Sequence, residues 1–294
     1  MRNRDKDSRL SLLMLTGAMV IFGTIGLFRR AIPLSSALLA FLRGLIGAAF
    51  LLVIVIRRSS GFAALKNRRL LILLLLSGAM IGINWMLLFE AYNYTTVSVA
   101  TLCYYMQPVI VIMLSPVFFR ESLTVKKLAC VFAAVLGMIL VSGVGGGQSG
   151  MHSLAGIAFG LGAAALYAAV VMMNKRISGV DAYEKTMIQL GAAAFIMVPY
   201  LCLTGGFKSA WTAFSGWVPC LVLIVGLVHT GIAYVLYFAS MDGLRTQTIA
   251  MLSYIDPVTA LLLSAVILHE GMTLRGLAGA LLILGAAFFS GRDG

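Results

Sequence analysis

The sequence predicts an all-α integral membrane protein: ten transmembrane helices built as two inverted five-helix repeats. Three observations predict it. First, 61% of the 294 residues are hydrophobic and only 11% are charged, whereas a soluble domain carries about 25% charged residues. Second, apolar stretches of about 20 residues, enough to cross a bilayer core, recur along the whole chain. Third, CYYMQPVIVIMLSPVFFRESLTVKKLA, starting at Cys103, is echoed without a gap by LSYIDPVTALLLSAVILHEGMTLRGLA, starting at Leu252.

Taken in order, the predicted spans are Leu10–Phe28, Pro33–Ile56, Leu70–Ala91, Val97–Phe119, Val125–Val144, Leu154–Met173, Tyr183–Thr204, Trp217–Ser240, Thr246–Leu268 and Leu274–Ser290. The segment GVGGGQSG is the least helical stretch between them. It divides the chain into a first repeat (1–144), a Gly-rich linker (145–153) and a second repeat (154–294). No cleavable leader is expected before the first span, since MRNRDKDSRL runs straight into it without a small-residue cleavage site. Arg29, Arg30, Lys208 and Arg275 fall on one side of the membrane and Arg43 lies inside a span. The other basic residues share the side of both termini, which is therefore predicted to be cytoplasmic, with the plasma (inner) membrane as the expected location. The net charge of +12 is accounted for by these loops and does not call for a nucleic-acid partner.

The two echoing segments stay in one register. Tyr105 meets Tyr254, Pro108 meets Pro257, Glu121 meets Glu270 and Thr124 meets Thr273. Because five helices is an odd number, the second copy enters the membrane from the opposite side. Inverted repeats are a construction of secondary transporters, in which two similar halves rock about a shared midplane site.

These features resemble the drug/metabolite transporter superfamily and its EamA-type ten-helix members. The resemblance rests on a span with a mid-helix proline, a loop glutamate and a further apolar helix (Pro108 with Glu121, Pro257 with Glu270). It also rests on Arg43 in AFLRGLIGAAF and on the first span, MVIFGTIGLF. It implies a central cavity lined by spans 1, 3, 4, 6, 8 and 9. In one respect the chain departs from the pattern. The four-helix multidrug relatives carry a membrane-embedded glutamate in their first span, but here spans 1 and 6 contain no acidic residue. Their coupling mechanism does not transfer.

What occurs in both halves reads as architecture. Glu121 and Glu270 precede the helix N-caps Thr124 and Thr273, and a carboxylate there is stabilised by free N–H groups. Pro108 and Pro257 each remove a mid-span hydrogen bond and are expected to bend their helices. What occurs in one half only is a candidate for function. Asp256 meets Gln107, Glu90 meets Ala239, Asn84 meets Ala233, His229 meets Met80, and Arg43 meets Gln189. A charge at the centre of a span costs about 2.5–3.5 kcal/mol on insertion scales and so faces the protein interior. Arg43 has structural readings, as an ion-pair partner of Asp256 or a donor to broken-helix carbonyls. Glu90 lies near the outer boundary, where it can simply meet headgroup water. Asp256 precedes Pro257 and has Ser253 one turn back. Burial at this depth disfavours its charged form, which suits a reversible proton carrier. Trp85, Tyr104, Tyr105, Tyr234, Tyr237 and Tyr254 supply aromatic walls for an amphipathic solute or an organic cation; ordinary packing and an interfacial belt are the alternatives. The candidate substrate-binding or coupling set is thus Asp256, Glu90, Arg43, Asn84, Trp85, Tyr104, Gln107, His229, Tyr234 and Ser253.

The expected function is secondary transport of small organic metabolites, amino acids or drug-like solutes, with export as the first direction and import as the second, and with protons as the candidate coupling ion. The bilayer and the solute are the expected partners; no cofactor or metal is expected. A membrane-embedded enzyme is the reading of another class, but His152, His229 and His269 are dispersed in position and no clustered nucleophile and base appears. The sequence offers no phosphate-binding loop for ATP and no repeated filter ring for a channel.

Overall fold

A computed structural model describes residues 2–58, 62–95, 97–141, 154–207, 216–267 and 274–291. These residues form helices joined by short turns. The linker 145–153, Glu270, Thr273, His152 and His269 lie outside the described residues.

The helices are α1 (Arg2–Ala31), α2 (Ser36–Arg57), the short α3 (Ala63–Lys66), α4 (Arg68–Tyr94), α5 (Val97–Tyr104), α6 (Gln107–Phe119), α7 (Val125–Val141), α8 (Leu154–Arg176) and α9 (Ala182–Leu203). Then come α10 (Val218–Ile224), a π-helical segment (Val225–Ile232) and α11 (Ala233–Ser240), which run on as one rod. α12 (Thr246–Leu252), α13 (Ile255–Ile267) and α14 (Leu274–Gly291) complete the chain. Seven stretches among the described residues are long and apolar enough to cross a membrane, including Ser8–Arg29, Val99–Phe119 and Val218–Gly243.

Side-chain caps begin several helices, as polar residues before an apolar run dictate. Ser35 accepts from Leu38 N–H at 3.3 Å, Asn67 from Leu70 N–H at 3.2 Å and Asp181 from Tyr183 N–H at 3.1 Å. Thr124 caps α7, accepting from Lys127 N–H at 3.3 Å.

Small residues then bring the helices together. Lipid tails are as apolar as leucine, so helices in a bilayer associate through close packing rather than hydrophobic exclusion. Gly78 and Gly82, one turn apart on α4, press against α9: a Cβ on Gly78 would lie 2.4 Å from the Gln189 carbonyl oxygen. Gly156 and Gly160 do the same for α8 against Thr95 and Cys103. Gly23 lets α1 pass beside α13, where a Cβ would lie 2.7 Å from the Asp256 carbonyl oxygen.

The prolines act differently from the sequence expectation. The fourth predicted span is not bent at Pro108; it stops at Tyr104 and restarts at Gln107. Pro108 falls in the first turn of the new helix, where a missing N–H leaves nothing unpaired. The ninth predicted span breaks in the same way, stopping at Leu252 and restarting at Ile255. The two breaks meet: the Tyr254 hydroxyl donates to the Tyr105 carbonyl at 3.2 Å. A carbonyl at a helix break thus receives its hydrogen bond from the matching tyrosine of the other repeat.

One end of the bundle is tied by polar contacts between loops. Glu121 accepts from Thr246 N–H at 2.8 Å and from Gln247 N–H at 3.1 Å. It therefore caps α12, far along the chain, while Thr124 caps the adjacent helix. Glu184 accepts from Ala63 and Ala64 N–H at 3.2 and 2.8 Å, Arg176 donates to the Phe118 carbonyl at 2.7 Å, and Lys175 donates to the Met241 and Leu244 carbonyls. Glu121→Ala is expected to lower stability by about 1–2 kcal/mol, the usual scale for a lost cap. Thermal unfolding in detergent checks this, and the affinity of the folded protein for a solute is expected to stay unchanged.

Candidate functional site

An aromatic wall runs through the middle of the bundle. It begins at Arg43 on α2, whose guanidinium carbon lies 4.3 Å from the centre of the Trp85 ring on α4. Trp85 meets Tyr234 edge-on at 6.4 Å. Phe22 of α1 meets Tyr234 at 5.2 Å and Tyr237 at 6.1 Å. Tyr237 stacks on Tyr167 of α8 at 6.4 Å, and Tyr167 stacks on Tyr104 at 6.0 Å. Tyr105 continues the row 5.9 Å from Tyr104. The row ends at Asp256, which accepts from the Tyr105 hydroxyl at 3.2 Å. Edge-to-face and offset stacks each add about 0.5–1.5 kcal/mol beyond burial, so the wall is a packed object rather than a set of mobile rings.

This wall gathers six of the ten predicted site residues, and the others take separate positions. Arg43, Trp85, Tyr104, Tyr234 and Asp256 belong to it directly. Ser253 is tied to it through the Tyr237 hydroxyl, and its own hydroxyl donates to the Ile249 carbonyl at 2.9 Å. Gln107 is buried, and its Nε2 has no hydrogen-bond partner among the described residues. It opens α6 while Tyr104 closes α5, so the two do not share one helix face as their spacing suggests. Asn84 lies in the seam between α4 and α8, donating to the Ala163 carbonyl at 2.6 Å; it joins helices there. His229 sits in the π-helical segment, with its Nε2 2.8 Å from the Thr24 hydroxyl and its ring 4.7 Å from Phe28.

Glu90 occupies the end of the bundle away from the tied loops. It accepts from the Tyr200 hydroxyl at 2.6 Å and from Asn93 at 3.1 Å. Tyr200 and Asn93 also line a cleft of about 290 Å³ with Ser35, Ser36, Phe89 and Tyr92. Glu90 thus stands near the C-terminal end of α4. The expected alternative for Arg43, an ion pair with Asp256, is absent: among the described residues no salt bridge joins them.

Sequence reading missed Phe22 and Tyr167. Both come from apolar runs where one aromatic carries no local signal, and only the packing of α1 and α8 against the opposite half reveals them. It also missed a buried polar group in which Gln189 donates to Ser77 at 2.9 Å and to Asn174 at 3.1 Å, linking α4, α8 and α9.

Seven stretches among the described residues are long and apolar enough to cross a membrane, and a row of aromatic rings with few polar groups runs between them. The chain belongs to the EamA-like transporter family, whose model matches it twice, over residues 9–143 and 154–292. It is 30% identical over 263 residues to the uncharacterized transporter YxxF of Bacillus subtilis (strain 168), covering 89% of this chain and 83% of that one. It is 28% identical to an uncharacterized transporter of Archaeoglobus fulgidus, covering 68% of each chain. It is 23% identical to Protein PecM of Dickeya dadantii (strain 3937), covering 72% of this chain and 70% of that one. A solved crystal structure superimposes with a TM-score of 0.80 over 95% of this chain and 96% of its own, at 19% identity, a likeness of fold alone. The protein is thus a transporter and not an enzyme.

Proposed function

We propose that this transporter is a secondary active exporter of small organic metabolites, amino acids or drug-like solutes. It works by alternating access at the aromatic wall, with Asp256 as the exchangeable proton site. The observation that carries this reading is the wall itself. It unites a half-buried cation, a half-buried carboxylate and a row of packed rings drawn from both halves. A low-dielectric, aromatic-lined site with few polar groups suits solutes with an apolar body and one or two charges. A proton is the coupling ion that a carboxylate with no ion-pair partner among the described residues can carry.

We further read the chain as ten spans in two inverted five-helix repeats. Three features support this: the register of the echoing segments, the double family match and the helix contacts. Exchanging the halves turns the α4–α8 contact into that of α11 with α1. It turns the α4–α9 contact into that of the π-helical segment with α2, and it leaves the α2–α9 and α7–α14 contacts in place. The tied end is then cytoplasmic and the cleft near Glu90 faces outward. Reporter fusions are expected to give a cytoplasmic signal after Gly294 and within Arg57–Arg69, and an outside signal within Gly145–Gln148. An outside signal from Arg57–Arg69 would reverse the orientation.

The function is tested by reconstituting the purified protein and measuring uptake of labelled amino acids, organic cations and nucleosides. Saturable flux of at least one class, driven by an imposed proton gradient, is the expected result. Flux that ignores the gradient would remove the coupling role, and no flux of any class would remove the solute range proposed.

A further inference from the structure

A guanidinium does not lose its proton inside a protein, so one held in an apolar bundle calls for an anion or for acceptors along its edge. Among the described residues Arg43 has neither. The Trp85 ring covers its face at 4.3 Å, which leaves the edge that carries its donors. That edge has no hydrogen-bond or ion-pair partner among the described residues, and Nε is fully buried. The acidic groups that might serve it are held elsewhere. Asp256 takes the Tyr105 hydroxyl, Glu90 takes Tyr200 and Asn93, and Glu121 and Glu184 cap backbone N–H groups at the tied end.

We propose that Arg43, held over the Trp85 ring, is the anchor for a carboxylate carried by the transported solute, whose apolar body lies along the Tyr234, Tyr237 and Tyr167 rings. This rests on the transporter reading and narrows it to carboxylate-bearing solutes. The ring contact leaves the guanidinium fork unpaired among the described residues, and a free fork can make two parallel hydrogen bonds to a planar oxyanion. Exclusion of water strengthens such a contact. The matching position in the other repeat cannot duplicate it. Gln189 is committed to Ser77 and Asn174, so the solute binds in one polarity.

The test uses four ring-matched probes: phenylacetate, phenylalanine, phenylalaninamide and phenethylamine. Binding is read by thermal stabilisation of the purified protein, and transport by uptake into proteoliposomes. The two carboxylates are expected to bind about tenfold or more tightly than the amide and the amine. Arg43→Gln is expected to erase that preference. Arg43→Lys, which keeps charge but not the planar fork, is expected to lose most of it. Trp85→Leu leaves the cation and removes its platform; it is expected to weaken the carboxylates severalfold while sparing the amine, and it serves if Arg43→Gln does not fold. Wild-type uptake of amide and amine with no carboxylate preference would overturn the anchor and leave the transporter reading standing. Retention of the preference in folded Arg43→Gln would overturn it equally. No uptake of any probe would count against both the anchor and the aromatic-solute reading of the wall.

Discussion

Gly78→Val is expected to leave almost no folded protein. A Cβ at this position would meet the Gln189 carbonyl oxygen at 2.4 Å, the Ala192 Cβ at 2.7 Å and the Gln189 Cα at 2.8 Å. Backbone atoms of a packed helix cannot step aside as the tip of a side chain can, so α4 and α9 must separate. The same surface carries Gly82, where a Cβ would lie 2.3 Å from Ile196 Cγ2 and 2.7 Å from the Ala193 carbonyl oxygen. Separation at Gly78 therefore unseats the whole seam. It also pulls Gln189 away from Ser77 and Asn174, leaving buried polar groups unpaired, each costing about 1–3 kcal/mol. Overpacking adds about 3 kcal/mol, the upper end of its usual range. Gly17→Ala is the matched control, since nothing lies within 4 Å of its added carbon. Fluorescence-detected size exclusion and thermal unfolding in detergent separate the two. Equal stability of Gly78→Val and Gly17→Ala would show that the α4–α9 seam is not as close as described.

The second large effect is expected at Asp256. Its carboxylate lies in the first turn of α13, accepts from the Tyr105 hydroxyl and has no basic partner among the described residues. Gln107, the residue at the matching position in the other repeat, can donate and accept hydrogen bonds but cannot titrate. Asp256→Asn makes the halves alike in this respect. The amide still accepts from Tyr105, so the packing around it is expected to persist. With Arg43 lying on Trp85 rather than against Asp256, the substitution leaves no new unpaired cation and folding is expected to be preserved. Proton-driven accumulation is expected to fall about tenfold or more, while exchange of solute across the membrane without a gradient remains. A well-folded Asp256→Asn protein with wild-type pH dependence of uptake would rule out Asp256 as the proton site.

The apolar spans and the Tyr105–Tyr254, Pro108–Pro257 register were legible because both follow from local composition and self-comparison. Helix limits in the structure fall close to the predicted ones; Ala182–Leu203, for example, stands where Tyr183–Thr204 was expected. The helix breaks were legible only in part. Proline announces an irregularity, but whether it bends a helix or opens a new one depends on where the preceding turn is satisfied, here by a tyrosine from the other repeat. The role of Glu121 was legible as capping, yet its true target, the N-terminus of α12, is fixed by how the halves meet. The π-helical segment around His229 has no local signature in GLVHTGI. Asp256 and Arg43 stood out because charge inside a span is costly. Phe22 and Tyr167 did not, because an aromatic inside a span costs nothing.

Alternating access at the aromatic wall is tested most directly by counterflow in proteoliposomes. Vesicles are loaded with unlabelled phenylalanine or phenylacetate, and entry of the labelled compound is followed without any ion gradient. A carrier with one site shared between two faces is expected to give saturable uptake that overshoots equilibrium only when solute is present on the inner side. Tyr167→Ala, which removes the ring stacked between Tyr104 and Tyr237, is expected to reduce it about tenfold or more. Uptake that rises linearly with concentration, ignores solute on the inner side and is untouched by Tyr167→Ala would contradict a shared, alternately exposed site.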